Sequence, residues 1–188
     1  MRVIAGKCRS LPLKTLEGNN TRPTTDRIKE TLFNMLQYDI PGCRFLDLFS
    51  GSGAIGIEAL SRGASFACFV DDNRGAVSVI RENLKFTHLE AEARVLQMDA
   101  RAAVKALDGE APFNIIFMDP PYNKDLEKEA LQAMSDVHCV NENTLFVVEA
   151  SLDTNFDWLE ESGYTCTRVK KYKTNKHLFL RRRRGTDE

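Results

Sequence analysis

The sequence predicts an α/β protein built on a doubly wound, largely parallel sheet. Three observations carry that prediction. Short runs rich in Val, Ile and Phe recur between stretches of helical periodicity, a glycine-rich turn follows the first such run, and the last two candidate strands are separated only by a short polar turn. The candidate strands are Arg44 to Leu48, Phe66 to Val70, Arg94 to Met98, Asn114 to Met118 and Thr144 to Glu149. Most are continuously apolar rather than alternating, as strands covered on both faces are. Helical patterns fall at roughly 53 to 62, 74 to 86, 100 to 107 and 125 to 135, so strand and helix alternate with right-handed crossovers. A further helix is expected near 154 to 161. A hairpin of Gly163 to Tyr172 and Lys176 to Leu180, turning around Thr174-Asn175, then closes one edge of the sheet.

Ahead of the sheet, Pro23 to Tyr38 forms a helix pattern: Thr24 and Thr25 can cap it, Asp26 suits its positive first turn, and Ile28, Leu32, Met35 and Leu36 share a face. Pro41-Gly42 ends it. Residues 1 to 22 are basic and contain Gly6, Pro12, Gly18 and Asn19-Asn20, which suits either a small hairpin or an arm that orders on a binding partner, appended to the sheet domain.

Length and composition bound the remainder. A chain of 188 residues with 43% hydrophobic content fills one core, so residues 1 to 188 are expected to be a single domain. No run of about 18 apolar residues occurs, and Met1-Arg2-Val3-Ile4 leads into polar sequence, which indicates a cytoplasmic protein without membrane insertion. The five cysteines are scattered with no CxxC pair, and His88, His138 and His177 are isolated, so neither a disulfide framework nor a metal site is expected. No Ser/His/Asp or Cys/His arrangement suggests covalent catalysis.

The net charge of -1 hides an asymmetry. Residues 1 to 29 carry +5, residues 30 to 167 carry -13, and residues 168 to 188 carry +7. Two basic ends brought together would suit a phosphate backbone, whereas the run Arg181 to Arg184 taken alone is equally a solvated tail. Arg2, Lys7, Arg9, Arg181 and Arg182 are the candidate nucleic-acid contacts.

Directly after the first strand, Asp47-Leu48-Phe49-Ser50-Gly51-Ser52-Gly53-Ala54-Ile55-Gly56 fits G-x-G-x-x-G at the mouth of a helix. Such glycines allow a tight turn, close ligand approach and close helix packing. Asp71, about 20 residues beyond Gly51, is placed to hold ribose hydroxyls. A nicotinamide dinucleotide and S-adenosylmethionine both suit this pattern. Asp47 decides between them, because an acid beside the loop attracts the ammonium of a methionine moiety and repels a pyrophosphate. Capping local backbone amides is the lesser alternative for Asp47, and both roles can coexist. Asp99-Ala100, at the end of the third strand, offers a carboxylate to an adenine amino group, with a helix N-cap as the competing role.

The strand Ile115 to Met118 runs into Asp119-Pro120-Pro121-Tyr122. Each proline fixes its own φ and restricts its predecessor, so the segment is a rigid platform. An aromatic amine is a poor nucleophile that must be held in line with a sulfonium methyl. The Asp119 carboxylate and the Pro120 carbonyl can accept its hydrogen bonds, and Tyr122 can stack on its base. A strand merely terminated by prolines is the alternative. A base inside a duplex has to be extruded to reach such a pocket, and RNA loops present bases already unpaired.

Nearly the whole chain resembles the RsmD-type methyltransferases, which modify N2 of one guanine in bacterial 16S ribosomal RNA. The likeness rests on Arg2 to Gly6, on Arg22 to Arg27 continuing to Glu30-Thr31-Leu32-Phe33-Asn34, on Asp47 to Gly56 with Glu58 to Ala64, and on Asp119 to Tyr122. The resemblance implies a seven-stranded class I methyltransferase sheet with a C-terminal antiparallel hairpin, S-adenosylmethionine as cofactor, and the small ribosomal subunit or an assembly intermediate as substrate; a monomer is expected. It makes the loop residues Ser50, Gly51, Ser52, Gly53 and Gly56 and Asp71 cofactor contacts, with Asp71 in place of the more usual Glu. Asn73 stands where Asp is common, and Lys173 follows Tyr172 where Gly is frequent. For Arg22 and Thr24 the likeness suggests substrate or cofactor contact, against helix initiation. The rival readings are an N6-adenine methyltransferase acting on DNA or RNA, a nicotinamide-dependent oxidoreductase, which leaves Asp119 to Tyr122 unexplained, and a non-catalytic RNA-binding module.

Overall fold

The computed structural model describes residues 1–16, 25–122 and 124–183. Its sheet has seven strands: β1 (Arg44–Leu48), β2 (Phe66–Asp71), β3 (Ala93–Gln97), β4 (Ile115–Met118), β5 (Leu145–Ser151), β6 (Tyr164–Lys171) and β7 (Asn175–Arg182). They lie in the order β3-β2-β1-β4-β5-β7-β6. The first five are parallel, and β7 runs antiparallel to both β5 and β6. β4 is buried at every position and β1 at all but its first, matching their unbroken apolar sequence. The chain starts at β1, winds out to β3, and returns to the other side of β1 with β4. The order therefore reverses between β1 and β4, and a crevice opens there at the C-terminal ends of the strands.

Among the described residues five α-helices cover the two faces: α1 (Asp26–Met35), α2 (Ala54–Ser61), α3 (Arg74–Thr87), α4 (Ala100–Ala106) and α5 (Leu126–Ala133). Phe45 and Phe117 pack with Phe33, Ile57 and Ile80 on one face of the sheet; Leu46, Leu48 and Met118 pack with Val104 and Leu131 on the other. Thr25 caps α1, its hydroxyl accepting from Ile28 N–H at 3.3 Å. The helix is shorter than its pattern, because from Leu36 the chain goes into turns that lead to Gly42 at φ 75°.

The helix expected near 154 to 161 does not form. Asn155 Oδ1 accepts from Asp157 N–H at 2.6 Å and Asn155 O accepts from Trp158 Nε1 at 3.2 Å. These local bonds fold the segment into consecutive turns, competing with a helix as Asn and Asp do when their side chains reach neighbouring amides.

Residues 1 to 14 fold back on themselves through the Arg2–Pro12 bridge and pack on the sheet's helical layer. Val3 N–H donates to Leu11 O and Ser10 N–H to Val3 O, and Val3, Cys8 and Leu13 are buried. A cluster around Glu58 of α2 holds the hairpin. Its Oε2 accepts from Ile4 N–H at 2.8 Å and its Oε1 from Ala5 N–H at 3.0 Å. Lys29 Nζ lies 3.3 Å from Oε2 and Arg62 Nε 2.7 Å from Oε1. Glu58 and Lys29 are both fully buried. Gly6 sits at φ 85° so close to α2 that a Cβ would stand 1.9 Å from Ser61 O, which only glycine tolerates. Four of the five cysteines are buried and all five are free thiols.

Candidate active site

The crevice at the strand ends is a cleft of about 1210 Å³, and it gathers most of the residues singled out in the sequence. Asp47, Ser50, Gly51, Ser52, Asp71, Asp99, Ala100 and the whole of Asp119 to Tyr122 line it. Gly53 and Gly56 stand behind the loop. Gly53 takes φ 77° as N-cap of α2, and Gly56 lets the helix lie against β2: a Cβ there would be 2.3 Å from the Phe69 ring. Substituting Gly56 by Ala should therefore push α2 off Phe69. We expect a loss of about 1 to 3 kcal/mol of stability in urea denaturation together with weakened cofactor binding. A variant as stable as the parent would contradict the close approach.

The loop is fixed by its own bonds. Ser50 Oγ donates to Asp47 O at 2.6 Å and accepts from Val70 N–H at 2.9 Å, tying β1 to β2. Phe49 adopts φ 62°, a strained conformation for a bulky residue, and so turns the chain toward Gly51. Gly51 N–H donates to Asp71 Oδ2 at 2.9 Å, and Asn73 N–H to Asp71 Oδ1 at 2.9 Å. Asn73 also caps α3 by accepting from Gly75 and Ala76, the role open to an Asp at that position. Asp99 serves as N-cap of α4, accepting from Ala102 N–H at 2.9 Å, while still lining the cleft.

Asp47 is almost wholly buried, and its Oδ2 accepts from Gly56 N–H at 3.0 Å. Both readings of Asp47 thus concern one group, since it bonds a local amide and also borders the cleft. Burial pushes its carboxyl up to about 7, against the lowering effect of the Gly56 amide. Burial likewise raises Asp71, in part offset by its two backbone donors. A buried carboxyl facing a cleft with one amide donor suits a cationic ligand group, whose charge would favour ionisation. A hydroxyl-bearing ligand group suits Asp71. The residues present therefore fit an aminoacyl-nucleoside such as S-adenosylmethionine.

Asp119 follows β4 and is still partly open to the cleft. Burial, then the charges of Glu149 and Asp47, hold its carboxyl well above the usual carboxylate range. Behind it lies a polar cluster that sequence reading missed. Glu149, at the end of β5, accepts from Asn175 Nδ2 at 2.7 Å and stands 2.8 Å from His177 Nε2. His177 Nδ1 in turn lies 3.2 Å from the Tyr172 hydroxyl, and the Tyr122 hydroxyl reaches Glu149 Oε1 at 3.5 Å. The only sequence signals were an acid ending an apolar strand and a histidine inside the apolar run His177-Leu178-Phe179-Leu180. Met1, Thr15, Leu16 and Lys124 also line the cleft without having been singled out.

The basic candidates are spread out. Arg2 pairs with Asp26 and Lys7 with Glu92, both on the docked N-terminal hairpin, which also carries the exposed Arg9. Arg181 and Arg182 close β7 at the opposite rim of the sheet from the cleft and donate to the carbonyls of Asn143 and Met134. Arg22 and Thr24 lie outside the described residues. Among the described residues no group of three or more His, Cys, Asp or Glu side chains could hold a metal, and no helix is long and apolar enough to cross a membrane.

Solved structures share this architecture closely. The structure titled "Putative methyltransferase yhhF" from Escherichia coli superposes with a TM-score of 0.85 at 31% identity, covering 97% of this chain and 98% of that one. The structure of "putative methylase HI0767" from Haemophilus influenzae gives 0.80 at 29% identity, covering 97% and 98%. Sheet order, glycine loop and the segment after β4 together define a class I methyltransferase.

In sequence, the "Putative rRNA methyltransferase YlbH" of Bacillus subtilis is 43% identical over 150 residues, 79% of this chain and 82% of that protein. "Ribosomal RNA small subunit methyltransferase D" of Escherichia coli K12 is 37% identical over 153 residues, 81% and 76% of the two chains. The family described as "Conserved hypothetical protein 95" matches residues 1–181, and the chain belongs to it, the RsmD family.

Proposed function

We propose that the protein transfers a methyl group from S-adenosylmethionine to the exocyclic N2 of a guanine in 16S ribosomal RNA, in the small subunit or an assembly intermediate. The observation that carries this reading is a rigid Asp119-Pro120-Pro121-Tyr122 platform sharing one cleft with the glycine loop. S-adenosylmethionine, when bound, supplies an electrophilic methyl on a sulfonium. Asp47 would hold its ammonium, Asp71 its ribose hydroxyls and Asp99 with Ala100 its adenine, while Ser50, Gly51 and Ser52 bring backbone close to it, with Gly53 and Gly56 shaping that loop. Asp119 and the Pro120 carbonyl accept hydrogen bonds from the guanine amino group and draw its lone pair out of the ring. Pro121 stiffens that carbonyl and Tyr122 stacks on the base. Methylation makes the nitrogen cationic, and it must then shed one proton. Asp119, with its raised carboxyl, is suited to take it. Arg2, Lys7, Arg9, Arg22 and Thr24 would contact RNA, with Arg181 and Arg182 touching more distant RNA from the rim opposite the cleft, and the enzyme would act as a cytoplasmic monomer without a metal.

Calorimetry tests the cofactor assignment. S-adenosylhomocysteine should bind and NADH should not; preferential NADH binding would overturn it. The Asp47 carboxyl is raised, so the folded chain holds this proton more tightly than the unfolded chain. The cofactor-free protein therefore loses stability as pH rises between 3.8 and about 7. A bound ammonium reverses that preference, so affinity for S-adenosylhomocysteine should increase as pH climbs through about 7. Affinity that is flat from pH 6 to 8 would remove Asp47 from the ammonium site.

A further inference from the structure

We infer that the end of the β6–β7 hairpin nearest the cleft, carrying Arg168, Lys170, Lys171 and Lys173, grips the RNA phosphates flanking the target nucleotide. The inference rests on the proposal that the substrate is RNA and assigns the surface that presents it.

Topology and charge support it independently. In the β5–β7 pairing Asn175 lies opposite Ser151 and His177 opposite Glu149, whereas Leu180 lies opposite Phe146. The turn between β6 and β7 therefore projects at the same rim as Asp119, and Arg181 to Arg183 lie at the other. From β4 to β6 is three strand spacings, about 14 Å, a distance that chain on either side of an extruded base can span. From Ser162 to Thr186 the sequence contains no acid, within a protein whose middle is strongly acidic.

β6 is an edge strand of the sheet and is exposed along most of its length; Arg168, Lys171 and Lys173 are exposed and Lys170 half-buried. The turn is also braced: Tyr172 N–H donates to Asn175 O at 2.8 Å, the Tyr172 hydroxyl meets His177, and Lys176 Nζ donates to the carbonyls of Leu152 and Thr154. Lysines on a braced turn at the catalytic rim present charge at little ordering cost. Because Tyr172 and His177 also contact the cluster behind Tyr122, RNA held on the hairpin sits on the element that backs the stacking ring.

Charged side chains on an edge strand also serve to block pairing with a second chain, and that role predicts no effect on RNA. The two roles separate in a comparison of variants of equal charge, Lys170→Gln/Lys171→Gln/Lys173→Gln against Arg181→Gln/Arg183→Gln/Arg184→Gln. Each is assayed for binding to protein-free 16S RNA across a salt series and for methyl transfer to 30S particles, with S-adenosylhomocysteine affinity and circular dichroism reporting on the fold. The lysine variant should lower the slope of log affinity against log salt by roughly 2. It should also raise KM for the particle roughly tenfold, with kcat and S-adenosylhomocysteine affinity unchanged, and these losses should exceed those of the arginine variant. An unchanged slope, or losses in the arginine variant equal to or greater than those in the lysine variant, would overturn the assignment while leaving the RNA reading intact. Failure of the unaltered protein to bind or methylate ribosomal RNA would overturn both.

Discussion

Asp119→Ala should reduce methyl transfer by roughly 10²- to 10³-fold, the scale on which a preorganised group at a developing charge contributes, while S-adenosylhomocysteine still binds. Two consequences separate this role from a general loss of fold. Asp119→Asn keeps one acceptor oxygen for the amino group and should retain more activity than the alanine variant. In the parent enzyme, Asp119 is held well above the usual carboxylate range, first by burial and then by Glu149 and Asp47. Its proton-accepting form appears only as pH rises, so kcat should climb with pH above that range, and the climb should flatten in Asp119→Asn. A fully active alanine variant, measured with methyl-labelled donor, would remove Asp119 from the chemistry.

Glu58→Ala should cause the largest loss of stability, about 3 to 5 kcal/mol in urea denaturation, because it strands a buried cation. Lys29 Nζ would keep the Arg2 carbonyl at 2.6 Å, and Ile4 and Ala5 would lose their acceptor. Burial already lowers the Lys29 pKa, and the Glu58 carboxylate counteracts it. A base whose folded pKa lies below its unfolded value destabilises the fold at low pH and ceases to do so as pH rises toward 10.5. The deficit of Glu58→Ala should therefore shrink on going from pH 6 to pH 9. Combining it with Lys29→Met should recover much of the loss. A single variant less than about 1 kcal/mol below the parent would show that the cluster does not hold the N-terminal hairpin.

The contrast between what the sequence disclosed and what it concealed follows from these same residues. β1, β2, β4 and β5 were legible because both faces of each are covered, leaving an unbroken apolar run. The site was legible where chemistry constrains the local chain, as with glycines at a tight turn and prolines after a buried strand. Docking of residues 1 to 14 was not, since its anchor is one acid, Glu58, within the otherwise apolar helix Ala54–Ser61 and its counter-charge lies 29 residues before it in α1. Nothing local announces such a pair. The segment 154 to 161 has apolar residues at helical spacing, yet the Asn155 side chain accepts from the Asp157 amide, two residues on. Glu149, Asn175 and His177 meet only because β5 and β7 pair antiparallel, a register that no spacing in sequence reveals.

The methyl acceptor can be identified directly. Purified protein should be incubated with methyl-labelled S-adenosylmethionine and, separately, 30S particles, protein-free 16S RNA and DNA, and the labelled nucleosides identified after digestion. Label in N2-methylguanosine from ribosomal RNA is the expected result; label in N6-methyladenosine, in DNA, or in no nucleic acid would contradict it.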